Sequence, residues 1–440
     1  MKCTEEMLVT RPLLLIFGMA LLSAVTVRAR AATVGVGSCI AGSYPTIQAA
    51  VTAASSGSTV MICPGRYPEQ VLINKPLTIR GIASGSADAA IIVPPPGGVA
   101  QNTMSLSSGN PIAAQILVQA TTGVNLSNIT VDASNNGPAD NSCDGSNLIG
   151  IYFQNSSGSV THTAVVNQTM VPTSGCQYGL AIFVQSGNGG AANVTLTNNH
   201  VQNYQKNGIT ANESGTTVTI SGNTVVGQGP TNGAAENSIQ IGFGATGSIT
   251  GNTVGDDIWM PDTPGDSADA ASGILVYASS GISVSQNTVT NTQFGIAFVT
   301  DPLFGSADGG VIRSNKVATT HIFDGIELCN NGNTVRGNTV HGSDEAAIHI
   351  DSGCMNFSGG GNTGSGNTIS GNLINDACAG VLTGTLAGSN TIGTNTFFNV
   401  GNTTRIGDQC PPSAAALLPL ATLRVAGTVK QRHEAHPARP

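Results

Sequence analysis

An asparagine set shortly ahead of a β-branched or apolar residue recurs at Asn199, Asn223, Asn252, Asn287, Asn315, Asn338, Asn372 and Asn395, with gaps of 24, 29, 35, 28, 23, 34 and 23 residues. A floor near 23 with irregular excess describes a fixed structural repeat carrying loops of varying length, as in a solenoid. The unit is clearest at Ser272–Asn291, SGILVYASSGISVSQNTVTN. Its short runs alternate with period two between Gly, Ser and Asn clusters, which specifies strands and excludes helices. Each repeat is then one coil of three strands, each pairing with its equivalent in the next coil about 4.8 Å away. Asparagine suits the tight bend between the second and third strands because it tolerates left-handed backbone angles. Its stacked amides can bond up and down a ladder.

The composition agrees with a thin stacked core. The 440 residues are 40% apolar yet only 4% aromatic and 9% charged, short of what a large globular core uses. Lys2 and Arg11 precede the apolar stretch 13–27, and Ala29-Arg30-Ala31 offers a small-x-small cleavage site, so residues 1–31 read as a secretory signal. A membrane anchor is the competing reading, but the stretch falls short of the roughly 20 residues a span needs. Beyond it lie Cys39, Cys63, Cys143, Cys176, Cys329, Cys354, Cys378 and Cys410. In an exported chain these suggest disulfides, sequential pairing being the simplest scheme, with zinc the rival that no Cys-x-x-Cys spacing supports. The expected location is secreted, periplasmic or at the cell surface, without stable membrane insertion once the signal is removed.

Residues 32–404 hold seven Lys/Arg against twenty Asp/Glu, a net charge of −13. That balance argues against nucleic acid as a partner and against direct electrostatic capture of acidic polymers, so a polysaccharide or other glycan, the expected partner, would need bridging cations if acidic. From Arg405 onward five basic residues meet two acidic ones, and 405–440 reads as a cap fragment with a tail. Thr46–Ala54 carries Ile47, Ala50, Val51 and Ala54 at helical spacing with Thr46 as N-cap. A short helix there would cover the open end of the stack.

The run TIQAAVTAASSGSTVMICPGRYPEQVLINKPLTIRG, Thr46–Gly81, resembles the opening of right-handed parallel β-helix proteins of the pectin-lyase-like superfamily. The downstream repeats resemble that superfamily's short β-helix repeats, over roughly 33–400. The resemblance implies an all-β, right-handed, single-stranded parallel β-helix over 32–404, with three sheets and about ten to twelve coils, capped by the helix at 46–54. It implies no one chemistry, because the scaffold hosts lyases, hydrolases, epimerases and non-catalytic proteins. The motifs of its pectate lyases and polygalacturonases do not transfer. The first sheet shows no outward Arg or Lys, and only Asp256-Asp257 matches a polygalacturonase element.

Alternation sends Ile151, Ile239, Ile274, Ile296, Ile326 and Ile348 inward, with Val284, Ile312, Val335 and Ile369 on the second strand. An outward row on the first sheet then runs Tyr152, Ala181, Thr210, Gln240, Leu275, Ala297, Glu327, His349, Leu382. A second runs Gln154, Phe183, Asn212, Tyr277, Val299, Cys329, Asp351. Inserts after the third strands would wall a groove beside this sheet, where Tyr152 and Tyr277 could meet a sugar.

Three clusters could carry chemistry. Glu327, His349 and Asp351, with Asp324 and Asp344 nearby, would place a carboxylate beside an imidazole on adjacent coils, an acid–base pair in kind. A solvated polar ladder is the competing reading. The insert 255–272 gathers Asp256, Asp257, Asp262, Asp266, Asp269 and the only tryptophan, Trp259. Clustered carboxylates suit Ca²⁺ and an exposed indole suits a sugar ring, against a plain solvated loop with Trp259 tucked on the coil. Arg313 and Arg336 fall at equivalent second-strand positions and could hold a carboxylate or sulfate. Their competing reading is surface arginines answered by nearby acids. No organic cofactor motif is present. The expected function is carbohydrate binding along the first-sheet groove. The alternatives are a polysaccharide lyase, glycoside hydrolase or epimerase using the Glu327/His349/Asp351 region, and a non-catalytic scaffold.

Overall fold

Asn199 donates its side-chain amide to Asn223 Oδ1 at 3.0 Å, and the same bond repeats through Asn252, Asn287, Asn315, Asn338, Asn372 and Asn395 at 2.9–3.0 Å. Each amide oxygen also accepts the backbone N–H of the asparagine one coil earlier. One face of the coil stack is thus stitched by a buried amide ladder, whose polar groups would be costly if unpaired. The left-handed residue of the bend is not this asparagine but the one before it: Asn198, Gly222, Gly251, Gln286, Ser314, Gly337 and Gly371 all have φ between 55° and 67°. The asparagines are fixed by their amides, and the backbone turn is made one position earlier.

The computed structural model describes residues 32–83, 90–136, 143, 145–170, 175–260, 269–352, 363–410 and 434–435. The expected signal at 1–31 lies outside them. The strands wind as the right-handed parallel β-helix. Second strands stack into one ladder of 13. First and third strands share a 22-stranded ladder rather than two separate sheets, because in the last coils they run together as single strands, Thr339–Ile350, Leu373–Thr383 and Thr396–Ile406. No helix among the described residues is long and apolar enough to cross a membrane.

The inward residues expected from alternation form one buried column. Ile151, Ile182, Ile209, Ile239, Ile274, Ile296, Ile326, Ile348 and Val381 are consecutive partners on the first sheet and sit in the core. One coil departs from the expected register. Gly179 precedes its strand at φ +86°, whereas Gly150 lies within Asn147–Gln154, so the two glycines are not equivalent. Phe183, not Ala181, therefore stands between Tyr152 and Thr210. Gln185 takes the place expected for Phe183 in the second row.

The N-terminal helix, α1 (Ile47–Ala53), is capped by Thr46, whose hydroxyl accepts from Ala49 N–H at 3.1 Å. Glu69 adds a second cap, its carboxylate accepting from Ile47 and Gln48 N–H at 2.8 and 2.9 Å. Ile47, Ala50 and Val51 close the first coil. Disulfides join Cys39–Cys63, Cys143–Cys176 and Cys378–Cys410. Cys329 is also disulfide-bonded, and its expected partner Cys354 lies outside the described residues.

Candidate functional site

The outer face of the first sheet is not an open groove. Tyr152, Phe183, Thr210, Gln240, Leu275 and Ala297 are fully buried. A segment around Thr103–Met104 pairs antiparallel with 111–112, and Gln154 donates to Met104 O at 2.7 Å while Leu106 N–H donates to Gln185 Oε1 at 3.1 Å. Tyr152 stacks on Phe183 with centroids 4.9 Å apart, and burial pushes its phenol well above the usual range. Tyr277 donates its hydroxyl to the Asp301 carboxylate and packs against Phe243. Neither tyrosine faces a sugar site. Aromatic side chains bury large areas and take hydrogen-bond partners when they do; Tyr152 finds them in Phe183 and Gln185 of the next coil, and Tyr277 in Phe243 and Asp301.

One stretch of that face carries ionisable groups. Glu327 and His349 are Cα partners on consecutive coils. Asp324 enters from the turn before the strand Ile326–Cys329; its Oδ1 accepts Ala346 N–H at 2.9 Å and its Oδ2 lies 3.1 Å from His349 Nδ1. Glu327 Oε2 lies 3.2 Å from the same nitrogen. The three side chains are only 2–5% exposed. His349 Nε2 has no hydrogen-bond partner among the described residues. Asp351 continues the second row one coil above Cys329 and is buried. Asp344 is further out, accepting Ile322 N–H at 2.9 Å.

The electrostatics follow from burial against mutual attraction. Burial opposes charge on His349, yet Glu327 and Asp324 together carry its pKa well above the imidazole range. Burial likewise raises Glu327 well above the carboxylate range, the attraction of His349 offsetting part of it. Glu345, which accepts Cys410 N–H at 3.1 Å, is pushed up to about 8 by burial, with the Asp324 charge adding. Perturbed ionisable groups gathered at one place mark a candidate site, although structural ion pairs do the same. Donor atoms of Asp324, Glu327 and His349 lie within 4.8 Å of one another, so these residues could hold a divalent cation as well as a proton. Cys329, being disulfide-bonded, offers no thiolate to such a set.

Of the five carboxylates of the 255–272 insert, the described side chains are those of Asp256 and Asp257, and these two meet different partners. Asp257 is turned inward and fully buried, its Oδ1 accepting from Tyr204 at 2.7 Å and its Oδ2 from Ser238 at 2.6 Å. Asp256 is half-buried and accepts from Asn291 Nδ2 at 2.6 Å. Asp262 and Asp266 lie outside the described residues, as does the Asp269 side chain. Trp259 is half-buried and donates its indole N–H to Gly233 O at 2.6 Å, tucked on the coil. Sequence reasoning missed the groups around Asp257: Tyr204, Lys206 and Glu236 are all fully buried. Burial raises Asp257 and Glu236 well above the carboxylate range. Arg313 and Arg336 are Cα partners and exposed, as expected, on the second sheet.

The family described as right handed beta helix region matches residues 181–363. No curated protein matches the sequence. Among solved structures, the chain is similar to the GH136 lacto-N-biosidase from Eubacterium ramulus, at 10% identity and TM-score 0.51, over 84% of this chain and 68% of that one. An alginate lyase in complex with G6 aligns at 12% identity and TM-score 0.49, over 88% and 87% of the two chains. The mannuronan C-5 epimerase A-module from Azotobacter vinelandii aligns at 12% and 0.44, over 82% and 91%. Likeness at such identity concerns the fold, since one fold hosts many functions.

Proposed function

We propose that this chain, whose fold is the right-handed parallel β-helix, is an exported protein that binds and acts on polysaccharide, with His349, Glu327 and Asp324 as its acid–base centre. The carrying observation is the imidazole whose Nδ1 lies 3.1 and 3.2 Å from two carboxylates while its Nε2 has no partner among the described residues. A buried donor without a partner costs about 1–3 kcal/mol, and an oxygen of a bound sugar would relieve it. Held in its charged form, His349 can deliver a proton to such an oxygen, and Asp324 can take one. The disulfides support export, because they persist in oxidising compartments. The lacto-N-biosidase of the same fold supports carbohydrate as the substrate class.

A second reading, binding without turnover, is favoured by the burial of the centre, which any substrate must first uncover. Both are tested by screening the mature protein against a polysaccharide panel for turnover and for retention. The acid–base reading expects turnover of at least one polysaccharide, lost at least a hundredfold in His349→Gln and Glu327→Gln variants whose circular dichroism is unchanged. Retention without turnover selects the second reading, and neither activity on any polysaccharide overturns both.

A further inference from the structure

The strongest unassigned feature lies on the opposite ladder from that centre. Arg313 and Arg336 are directly opposed on adjacent second strands, so their backbones are about 4.8 Å apart. Both are exposed, and so is Lys316, which follows Arg313 round the asparagine bend. The corner is open: Ser314, Gly337, Ser370 and Gly371 complete the lining of a cavity of about 380 Å³ with the two arginines. Residues 32–404 contain seven Lys/Arg, and three of the seven stand at this one corner of an otherwise acidic body.

Among the described residues no acid answers them. The ion pairs among the described residues are Arg66–Asp132, His341–Asp376, His349–Asp324 and His349–Glu327. The register partners flanking the pair are Ser285 and Ser370, and those of Lys316 are Thr288 and Thr339. Like charges directly opposed across a ladder are destabilising. An anion seated between them turns that repulsion into attraction, and guanidinium forks match the planar face of a carboxylate or two oxygens of a sulfate. The net negative body gives no long-range pull on a polyanion, so recognition must come from these close contacts and must weaken with salt.

We propose that Arg313 and Arg336, with Lys316 beside them, form a binding subsite for the carboxylate or sulfate groups of an acidic polysaccharide. The choice of polysaccharide rests on the glycan reading above; the choice of an anionic one rests on this corner alone. Titration calorimetry of the mature protein against an oligouronate, a sulfated oligosaccharide and a neutral oligosaccharide of equal length distinguishes the two anion sources and supplies the control. One of the anionic ligands should bind at least tenfold more tightly than the neutral one. Arg313→Ala and Arg336→Ala should each weaken it about tenfold, as loss of one charge-assisted contact implies, and Arg313→Lys should recover part. Arg80→Ala, a lone exposed arginine on the same ladder, should change nothing. Equal affinity for charged and neutral ligands, or unchanged binding in the double Arg313→Ala/Arg336→Ala variant, overturns the subsite. Tighter binding of a single-stranded oligonucleotide than of either anionic sugar overturns the polysaccharide assignment. Because the variants lie on a different ladder from His349, the subsite can stand if the acid–base reading fails, and fail if it stands.

Discussion

His349 Nδ1 lies midway between Asp324 and Glu327, 3.1 Å from an oxygen of one and 3.2 Å from an oxygen of the other, with all three side chains sealed from solvent. A charge triad of this kind is held together by its own completeness. Removing the imidazole leaves two carboxyl groups buried together without their shared partner, so His349→Leu should cost about 3–5 kcal/mol at neutral pH, the usual toll for breaking a buried ion pair. Adding Glu327→Leu should return part of that loss, because it removes one of the stranded polar groups. Urea unfolding of the single and double variants measures the coupling. Equal stability of the wild type and His349→Leu would show that the cluster is not charged as described.

The same cluster sets the pH dependence of stability. Burial raises Glu327 and Glu345, and the two carboxylates raise His349 against burial. All three shifts mean that the folded chain holds protons which the unfolded chain has released. Stability must therefore fall as pH rises. For Glu345 the window opens at the ordinary carboxylate pKa and closes at about 8. Stability measured from pH 5 to pH 9 should decline monotonically, and Glu345→Gln should flatten the slope below pH 8. A maximum near pH 8 would contradict this.

The disulfide Cys39–Cys63, spanning 24 residues, ties the segment before α1 to the first coil. Cross-linking a loop of that size contributes about 3 kcal/mol through the unfolded chain. Paired Cys39→Ser/Cys63→Ser substitution should lower unfolding free energy by that amount. A larger loss should follow reduction of the wild type, which also opens Cys143–Cys176 and Cys378–Cys410, measured by denaturant titration with and without reductant.

How far the sequence could be read follows from what is periodic in it. Asn199 to Asn395 fixed the coil, and from the coil came the partnership of Glu327 with His349 and of Arg313 with Arg336, because register propagates rigidly along a parallel stack. The slip at Gly179 went unseen because a glycine before a strand and one inside it look alike until φ is known. The burial of Tyr152 and Tyr277 went unseen for a different reason. Residues that meet their neighbours, such as Met104 against Gln154 and Phe304 against Phe243, come from inserts with no period. Asp257 follows the left-handed Asp256 within its strand and Lys206 sits in a bend, places where alternation no longer predicts direction, so their burial had no signature. What repeats was legible, and what covers the repeats was not.

The amide ladder gives the sharpest test of the architecture. Asn287 Nδ2 donates to Ile249 O and to Asn315 Oδ1, both at 3.0 Å. Its Oδ1 accepts Asn252 N–H and Asn252 Nδ2, both at 2.9 Å. Asn287→Ala would strand a backbone N–H and a backbone carbonyl in the core, each an unmade bond costing about 1–3 kcal/mol. The expected loss is about 2–4 kcal/mol. Asn287→Asp keeps the acceptor but not the donor and places a charge in the core, so it should be at least as damaging. Asn395, half-buried at the end of the ladder, has no ladder asparagine beyond it among the described residues, and Asn395→Ala should cost less than Asn287→Ala, since water can enter where its amide stood. Urea midpoints of the three variants at equal m-value decide it. If Asn287→Ala and Asn395→Ala were equally mild, the ladder would be a consequence of the winding and not one of its causes.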